Sequence, residues 1–179
     1  MRKTRTTWLS VLIILFAFSG NAQEQAPKID QSITNFSKYM GTWHANANLT
    51  TEGKTYVIDY TVTIRSIGDG YGVSMDEVAK SKEVGDYYCT NLVGYDPFAK
   101  KLHWYSVDNT GTAHDHFCIW KSPDHFALSH NSLRDGKKYN ETIDMVFKGE
   151  NSMKVNFAVK LDGVVTQKSE GTFDRISKL

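Results

Sequence analysis

The segment KLHWYSVDNTGTAHDHFCIW, residues 101–120, contains the side chains with the most evident capacity for metal chemistry. His114 and His116 are separated by one residue, which places two imidazoles on the same side of a β-strand, and His103 could join them from a neighbouring strand. Zinc sites are built from such imidazoles. A built site also needs carboxylates that orient the histidines, and the sequence places none beside these three. We therefore assign no metal and keep His103, His114 and His116 as candidate ligands only.

Asp115 and His130 could support a different chemistry, because a carboxylate that orients an imidazole makes a general base. Ser106 or Ser132 could in principle add a nucleophile. The sequence contains no Gly-x-Ser-x-Gly elbow, no Gly-rich phosphate loop and no Cys-x-x-Cys motif. Binding is therefore the first hypothesis. An enzyme of unknown reaction that uses Asp115 and His130 as an acid–base pair is the alternative.

The elements that must position these residues are predicted to be β-strands. A polar linker over residues 23–31 and a short helix that Ser32 can cap are followed, from Trp43 onward, by alternating apolar and polar residues. Turn signals such as Asp96-Pro97 divide this region into about ten strands. Short consecutive hairpins favour an up-and-down barrel over a Greek key, which needs a long return connection. We predict an all-β antiparallel barrel with the short helix closing one end.

The start of the first strand resembles that of lipocalin-like (calycin) barrels. Gly41 and Trp43 form a Gly-x-Trp motif directly after the short helix, and residues 94–112, GYDPFAKKLHWYSVDNTGT, are similar to a family of uncharacterised secreted bacterial proteins of the lipocalin-like group. The resemblance implies that Trp43 closes one barrel end against a basic residue of the last strand, for which Arg175 is the candidate. Haem barrels of related shape use a histidine near the C-terminus. None follows His130, so we predict no cofactor.

Pairing residues across each hairpin predicts which side chains face the barrel interior. Placing Asp108 opposite Gly111 puts His103, His114 and His116 on the outer face. Inward polar groups need hydrogen-bond partners, which a ligand can supply inside a cavity with apolar walls. The predicted ligand-binding residues are Asn91, Trp104, Ser106, Asp115, Phe117, His130 and Glu141.

The same register predicts that Cys89 and Cys118 do not form a disulfide. The two cysteines lie on strands separated by a third strand, with Cys89 facing inward and Cys118 facing outward. Their Cα atoms would lie much farther apart than the roughly 7 Å that a disulfide allows.

The N-terminus predicts export. Arg2 and Arg5 precede an apolar run over residues 8–18, and small or polar residues follow, which is the pattern of a secretory signal peptide over residues 1–22. The run is too short to span a bilayer, which takes about 20 residues. We expect a periplasmic or secreted protein without a membrane anchor, whose residues 32–179 form one barrel domain.

Charge and composition narrow the partners. The chain has 21 Lys and Arg against 20 Asp and Glu, with the signs interspersed, and a nucleic-acid-binding protein usually has a basic excess. We predict a monomer or weak dimer that binds a small apolar or amphipathic molecule. Beside the enzyme, a further alternative is a structural or protein-binding module that uses an outward aromatic face with Tyr105 and Trp120.

Overall fold

The structure is a closed, ten-stranded antiparallel β-barrel. The computed structural model describes residues 28–178, so the predicted signal peptide and most of the predicted linker lie outside the described residues. A short helix, α1 (Gln31–Thr34), and a 3₁₀ turn (Ser37–Tyr39) precede the strands. No helix within residues 28–178 has the length and apolar character needed to cross a membrane. The strands are β1 (Gly41–Thr51), β2 (Lys54–Ile67), β3 (Gly72–Lys80), β4 (Tyr87–Asp96), β5 (Lys101–Asp108), β6 (Ala113–Ser122), β7 (His125–Arg134), β8 (Lys137–Lys148), β9 (Ser152–Leu161) and β10 (Val164–Ser177).

The strand order follows the chain. Each strand pairs with the next one in sequence, and β1 also pairs with β10, which closes the barrel. Closure satisfies the backbone groups that the edges of an open sheet would expose. The predicted all-β up-and-down barrel of about ten strands is confirmed.

The N-terminal segment closes one end of the barrel with aromatic side chains. Phe36 and Tyr39 are almost fully buried. The Tyr39 ring stacks on Phe147 with 3.5 Å between ring centroids, and Phe36 packs against Phe126 and Trp120 at 5.0 and 4.8 Å. Each such aromatic pair stabilises the fold by about 0.5–1.5 kcal/mol beyond the contribution of its buried surface area. The short helix is thus held in place by packing, since four residues are too few to form a stable helix alone.

Trp43 lies directly beneath this aromatic plug. Its side chain is fully buried, and its Nε1 donates a hydrogen bond to the backbone oxygen of Tyr39 at 3.0 Å. Arg175 is its partner in the β1–β10 pairing, with the guanidinium carbon 4.6 Å from the Trp43 ring. Arg175 Nη2 also donates to the backbone oxygen of Lys38 at 2.6 Å. The cation–π contact and these hydrogen bonds join the plug to the first and last strands.

Gly41 begins β1 at a position that only glycine can occupy. Its φ is +143°, and a Cβ atom there would lie 2.2 Å from the backbone oxygen of Ser177 on β10. A side chain would therefore push the last strand away from the first. The Gly-x-Trp start serves the close approach of the two strands that complete the barrel.

The β5–β6 hairpin differs from the predicted register by one residue. The backbone N–H of Asp108 donates to the oxygen of Thr112 at 3.0 Å, so Asn109–Gly111 forms a three-residue loop. Asp108 Oδ1 accepts hydrogen bonds from the backbone N–H groups of Thr110 and Thr112 at 2.8 and 3.1 Å. These side-chain bonds stabilise the longer loop. The predicted pairing of Asp108 with Gly111 is wrong.

This shift exchanges the two faces of β6, because successive side chains of a strand point to opposite sides. The predictions that Asp115 and Phe117 point inward, and that His114 and His116 point outward, are therefore wrong. Phe117 is 68% exposed and His116 is 3% exposed. His103 does lie outside, where its Nδ1 is 2.8 Å from Asp115 Oδ2.

The next hairpin restores the predicted faces. A bulge between Trp120 and Ser122 shifts the register a second time, so that Phe126 pairs with Trp120. Phe126 and His130 consequently point inward, as predicted. Trp120, predicted on an outward aromatic face, packs instead on the inside against Phe36.

Cys89 and Cys118 are free, buried thiols on β4 and β6, with β5 between them. Cys118 faces the interior rather than the solvent, as a consequence of the same register shift. Burial raises the pKa of both thiols to about 12. Neither thiol is therefore ionised near neutral pH, and the thiolate is the reactive form.

We predict that both cysteines resist alkylation in the folded protein and react after unfolding. Treatment with iodoacetamide without a reductant should leave the native mass unchanged and should add two groups to the chain in denaturant. An unfolded chain that takes up no reagent and is two hydrogens lighter would show an internal disulfide and contradict the structure.

We also predict that Trp43→Ala lowers the free energy of unfolding by about 3–5 kcal/mol, as expected for removal of a large, fully buried aromatic side chain. The matched control is Val57→Ala, because Val57 is 64% exposed on the neighbouring strand. That substitution should change stability by no more than about 0.5 kcal/mol. Chemical denaturation measures both, and equal midpoints for Trp43→Ala and wild type would contradict the role of Trp43.

Candidate functional site

The barrel interior is open at the end opposite the aromatic plug. A cavity of about 450 Å³ extends inward from a mouth formed by the β3–β4 and β5–β6 loops. This volume lies within the roughly 300–1,000 Å³ typical of small-molecule sites. Most of the wall is made of apolar side chains from β2, β3, β8, β9 and β10. They are Ile58, Val62, Met75, Ile143, Met145, Met153, Val155, Phe157, Val159 and Phe173.

One side of the cavity carries a buried hydrogen-bond network centred on Asn91, which is 1% exposed. Asn91 Oδ1 accepts from Trp104 Nε1 at 2.9 Å and from Ser106 Oγ at 2.5 Å. Its Nδ2 donates to Glu77 Oε1 at 2.6 Å, and the other Glu77 oxygen accepts from the Tyr60 hydroxyl. The network fixes the Glu77 carboxylate in the cavity wall. Three predicted ligand-binding residues, Asn91, Trp104 and Ser106, are thereby brought together.

A second polar cluster lies next to the first. His116 Nε2 is 3.0 Å from Glu141 Oε1 and 3.2 Å from His114 Nε2. The other Glu141 oxygen accepts from the Tyr139 hydroxyl at 2.5 Å. His116 Nδ1 lies 3.4 Å from Ser106 Oγ, which links the two clusters. Glu141, predicted from sequence, therefore lies in the cavity wall beside two histidines that the sequence analysis placed outside.

Burial affects the ionisable groups of the two clusters differently. Burial raises the pKa of the Glu77 carboxyl above its usual range, and the nearby Glu141 charge adds to this effect against the hydrogen bonds from Tyr60 and Asn91. Burial would also raise the pKa of Glu141, but hydrogen bonds from His116 and Tyr139 outweigh it and lower the pKa. Burial lowers the pKa of His114, which favours its neutral form. The cavity thus combines one carboxyl group whose pKa is lowered with one whose pKa is raised.

The proposed acid–base pair of Asp115 and His130 does not form. His130 Nδ1 donates to the backbone oxygen of Asp115 at 2.8 Å, whereas the Asp115 carboxylate lies on the outer face beside His103. The His130 ring packs against His114, with 4.1 Å between the ring centroids, and lies next to the second cluster. The predicted general base is wrong because the Asp108 loop turns the Asp115 side chain away.

The sequence analysis missed Tyr60, Glu77 and Tyr139 as functional candidates, and it named His114 and His116 but placed them on the outer face. Glu77 pairs with Cys89 across β3–β4, so extending the inward face of β4 to β3 would have placed Glu77 inside. Tyr139 lies two residues before Glu141 on β8, so both side chains point to the same side of the strand. That spacing was sufficient to place Tyr139 in the cavity wall. The two histidines could have been placed only with the correct loop length.

We predict that Glu77→Gln becomes less destabilising, relative to wild type, as the pH rises. A carboxyl whose pKa is raised on folding contributes stability at low pH and loses it as the pH rises through its folded pKa. Gln cannot ionise, so the variant lacks this loss. Urea unfolding of both proteins between about pH 4 and 8 measures the difference, and a difference that does not change with pH would contradict the raised pKa of Glu77.

No protein-family model and no curated protein sequence matches this chain. Among solved structures, an S-type phycobiliprotein lyase from Guillardia theta is similar, with a TM-score of 0.52 and 12% identity over 86% of this chain and 100% of the lyase chain. A putative outer membrane protein from Bacteroides fragilis NCTC 9343 matches over 79% of this chain and 99% of its own, with 9% identity and a TM-score of 0.21. The likeness to the lyase concerns the fold, and the ten-stranded barrel fits a lipocalin-like (calycin-like) fold.

Proposed function

We propose that this protein binds a small, largely apolar molecule inside its barrel. The observation that supports the proposal is the cavity of about 450 Å³, which is open at one end and has apolar walls with a few convergent polar groups. Barrels of this type either fill their interior with side chains or hold one small ligand. The volume and the open mouth favour the second arrangement.

The charges around the cavity favour a neutral or cationic ligand. Glu77 and Glu141 lie in the interior, and Asp86 and Asp108 lie at the mouth. Among the lining residues within positions 28–178, Arg134 is the one Lys or Arg side chain. An anionic group would face several carboxylates in a poorly solvated space. A ligand with an apolar body and an N–H or O–H donor would place its body on the Ile, Met, Val and Phe wall and its donor on a carboxylate.

We also propose that the protein is exported from the cytoplasm. The basic start, the apolar run and the small residues near position 22 support a signal peptide and a periplasmic or secreted location. A binding protein in that compartment would collect or carry a ligand from outside the cytoplasm.

An enzymatic alternative is now less well supported. Ser106, His116 and Glu141 have the residue types of a hydrolytic triad, with His116 3.4 Å from Ser106 Oγ and 3.0 Å from Glu141. However, Ser106 Oγ donates its proton to Asn91 Oδ1 at 2.5 Å. A nucleophile must instead give that proton to the base, so the arrangement favours a structural role for Ser106.

Binding can be tested with N-phenyl-1-naphthylamine, a neutral apolar amine whose fluorescence rises in apolar surroundings. We predict saturable binding to the wild-type protein. Val155 lines the cavity on β9, so Val155→Trp should fill part of the space and weaken binding at least about tenfold, which is about 1.4 kcal/mol.

The matched control is Val57→Trp, which adds the same side chain on the outer face, where Val57 is 64% exposed. This variant should bind the probe as the wild type does. Absence of saturable binding, or equal loss in both variants, would contradict a ligand site inside the barrel. Native mass spectrometry of protein purified from its own host would then identify the retained molecule.

A further inference from the structure

We propose that His114, His116 and Glu141 bind one divalent transition-metal ion of the zinc class, with an open coordination position toward the barrel cavity. These three residues can bind the ion whether or not an apolar ligand occupies the cavity. The site is formed by the inward faces of β6 and β8, which bring two imidazoles, two residues apart on one strand, to a carboxylate two strands away.

The spacing of the three donor atoms fits a metal ion. His116 Nε2 lies 3.0 Å from Glu141 Oε1 and 3.2 Å from His114 Nε2, and His114 Nε2 lies 3.8 Å from Glu141 Oε1. Zinc binds imidazole nitrogen and carboxylate oxygen at about 2.0–2.2 Å, and tetrahedral ligands at that distance are about 3.3–3.6 Å apart. The three distances between the donor atoms lie on both sides of that range, so the side chains need to move little to bind the ion.

A metal ion would take the place of a proton in this cluster. The hydrogen bond between His116 Nε2 and Glu141 Oε1 at 3.0 Å places a proton between these two atoms. A divalent cation at the centre would displace that proton and take the nitrogen and the oxygen as ligands, together with His114 Nε2. His116 Nδ1 would keep its own proton, which it can donate to the backbone oxygen of Trp104 at 3.3 Å.

The outer contacts are those that metal ligands usually have. A ligating histidine typically donates its second ring N–H to a backbone oxygen, as His116 can to Trp104, and a ligating carboxylate is itself hydrogen-bonded, as Glu141 is by Tyr139 at 2.5 Å. His114 Nδ1, buried without a hydrogen-bond partner, is the exception in the cluster.

The ligand types select the class of metal. Two imidazoles and one carboxylate suit zinc, copper, nickel, cobalt and iron, whereas calcium and magnesium prefer sites made of oxygen alone. Three protein ligands leave one position of a tetrahedron free, as in zinc sites that bind water or substrate. Because all three residues line the cavity, that position faces the space where a ligand would lie. A bound metal would also offset the charge of the interior carboxylates.

The test uses protein purified without a histidine tag and stripped of metal by a chelator. Equilibrium dialysis against Zn²⁺ should give one ion per chain. Co²⁺ should give the intense visible absorption of a four-coordinate site, and X-ray absorption at the zinc edge should show two imidazole ligands. A weak six-coordinate Co²⁺ spectrum, or no bound ion, would overturn the proposal without requiring any variant.

Variants then locate the site. His114→Gln and Glu141→Gln should each weaken Zn²⁺ binding by more than about 100-fold. Loss of a group that only hydrogen-bonds a metal ligand costs up to about 100-fold, and loss of a direct ligand should cost more. The control is His103→Gln, which removes an outward histidine that also faces a carboxylate, Asp115. It should bind Zn²⁺ as the wild type does. Full binding by His114→Gln, or lost binding in His103→Gln, would assign the metal to the outer face and overturn the proposal.

Two further measurements separate this site from the proposed function. The metal-free spectrum of each variant by circular dichroism shows whether it is folded, so lost binding is not mistaken for unfolding. The naphthylamine probe reports on the apolar cavity in the absence of metal. Probe binding without metal binding would contradict the metal site alone, and metal binding without probe binding would contradict the apolar ligand site alone.

Discussion

The pairing of β1 with β10 is the constraint on which the rest of the molecule depends. It converts ten consecutive hairpin-connected strands into a cylinder and leaves no sheet edge unpaired. The pairing is close because Gly41 has no Cβ to collide with Ser177. It is reinforced where Trp43 meets Arg175 and where both bond the backbone of the N-terminal segment. The interior of a closed barrel is either filled by side chains or left as a cavity. In this barrel the end beneath the aromatic plug is filled, and the opposite end holds the cavity.

The two ends differ because their side chains differ in size and polarity. At the plugged end, neighbouring aromatic rings from the N-terminal segment and from β6, β7 and β8 pack with 3.5–6.2 Å between their centroids. Toward the open end the wall carries smaller side chains, among them Ala79 and Val159, and the polar groups gather there. Those polar groups cost free energy to bury unless they bond one another. The clusters around Asn91 and Glu141 are the result, and they place ionisable groups beside an apolar wall.

The sequence was sufficient for the architecture and insufficient for the site. Alternation of apolar and polar residues, with turn signals between, predicted the number and order of the strands, because each strand must bury one face. The inward orientations of Asn91, Trp104 and Ser106 followed from the same alternation. The faces of β6 did not, because the Asp108 side chain stabilises a loop one residue longer than the predicted turn. A single residue in one loop thus moved two histidines from the outer surface into the cavity.

A chain of side-chain contacts, most of them hydrogen bonds, connects the mouth of the cavity to the interior carboxylates Glu77 and Glu141. Arg134 lies 3.6 Å above the Tyr139 ring, Tyr139 bonds Glu141, and Glu141 contacts His116. From there the contacts continue through Ser106 and Asn91 to Glu77. The Glu141 charge is one of the causes that raise the pKa of Glu77. A cation held by Glu141 would therefore oppose this effect and shift the pKa of Glu77 downward. By thermodynamic reciprocity, a ligand that prefers ionised Glu77 would bind more tightly when the cation is present and would strengthen its binding in return.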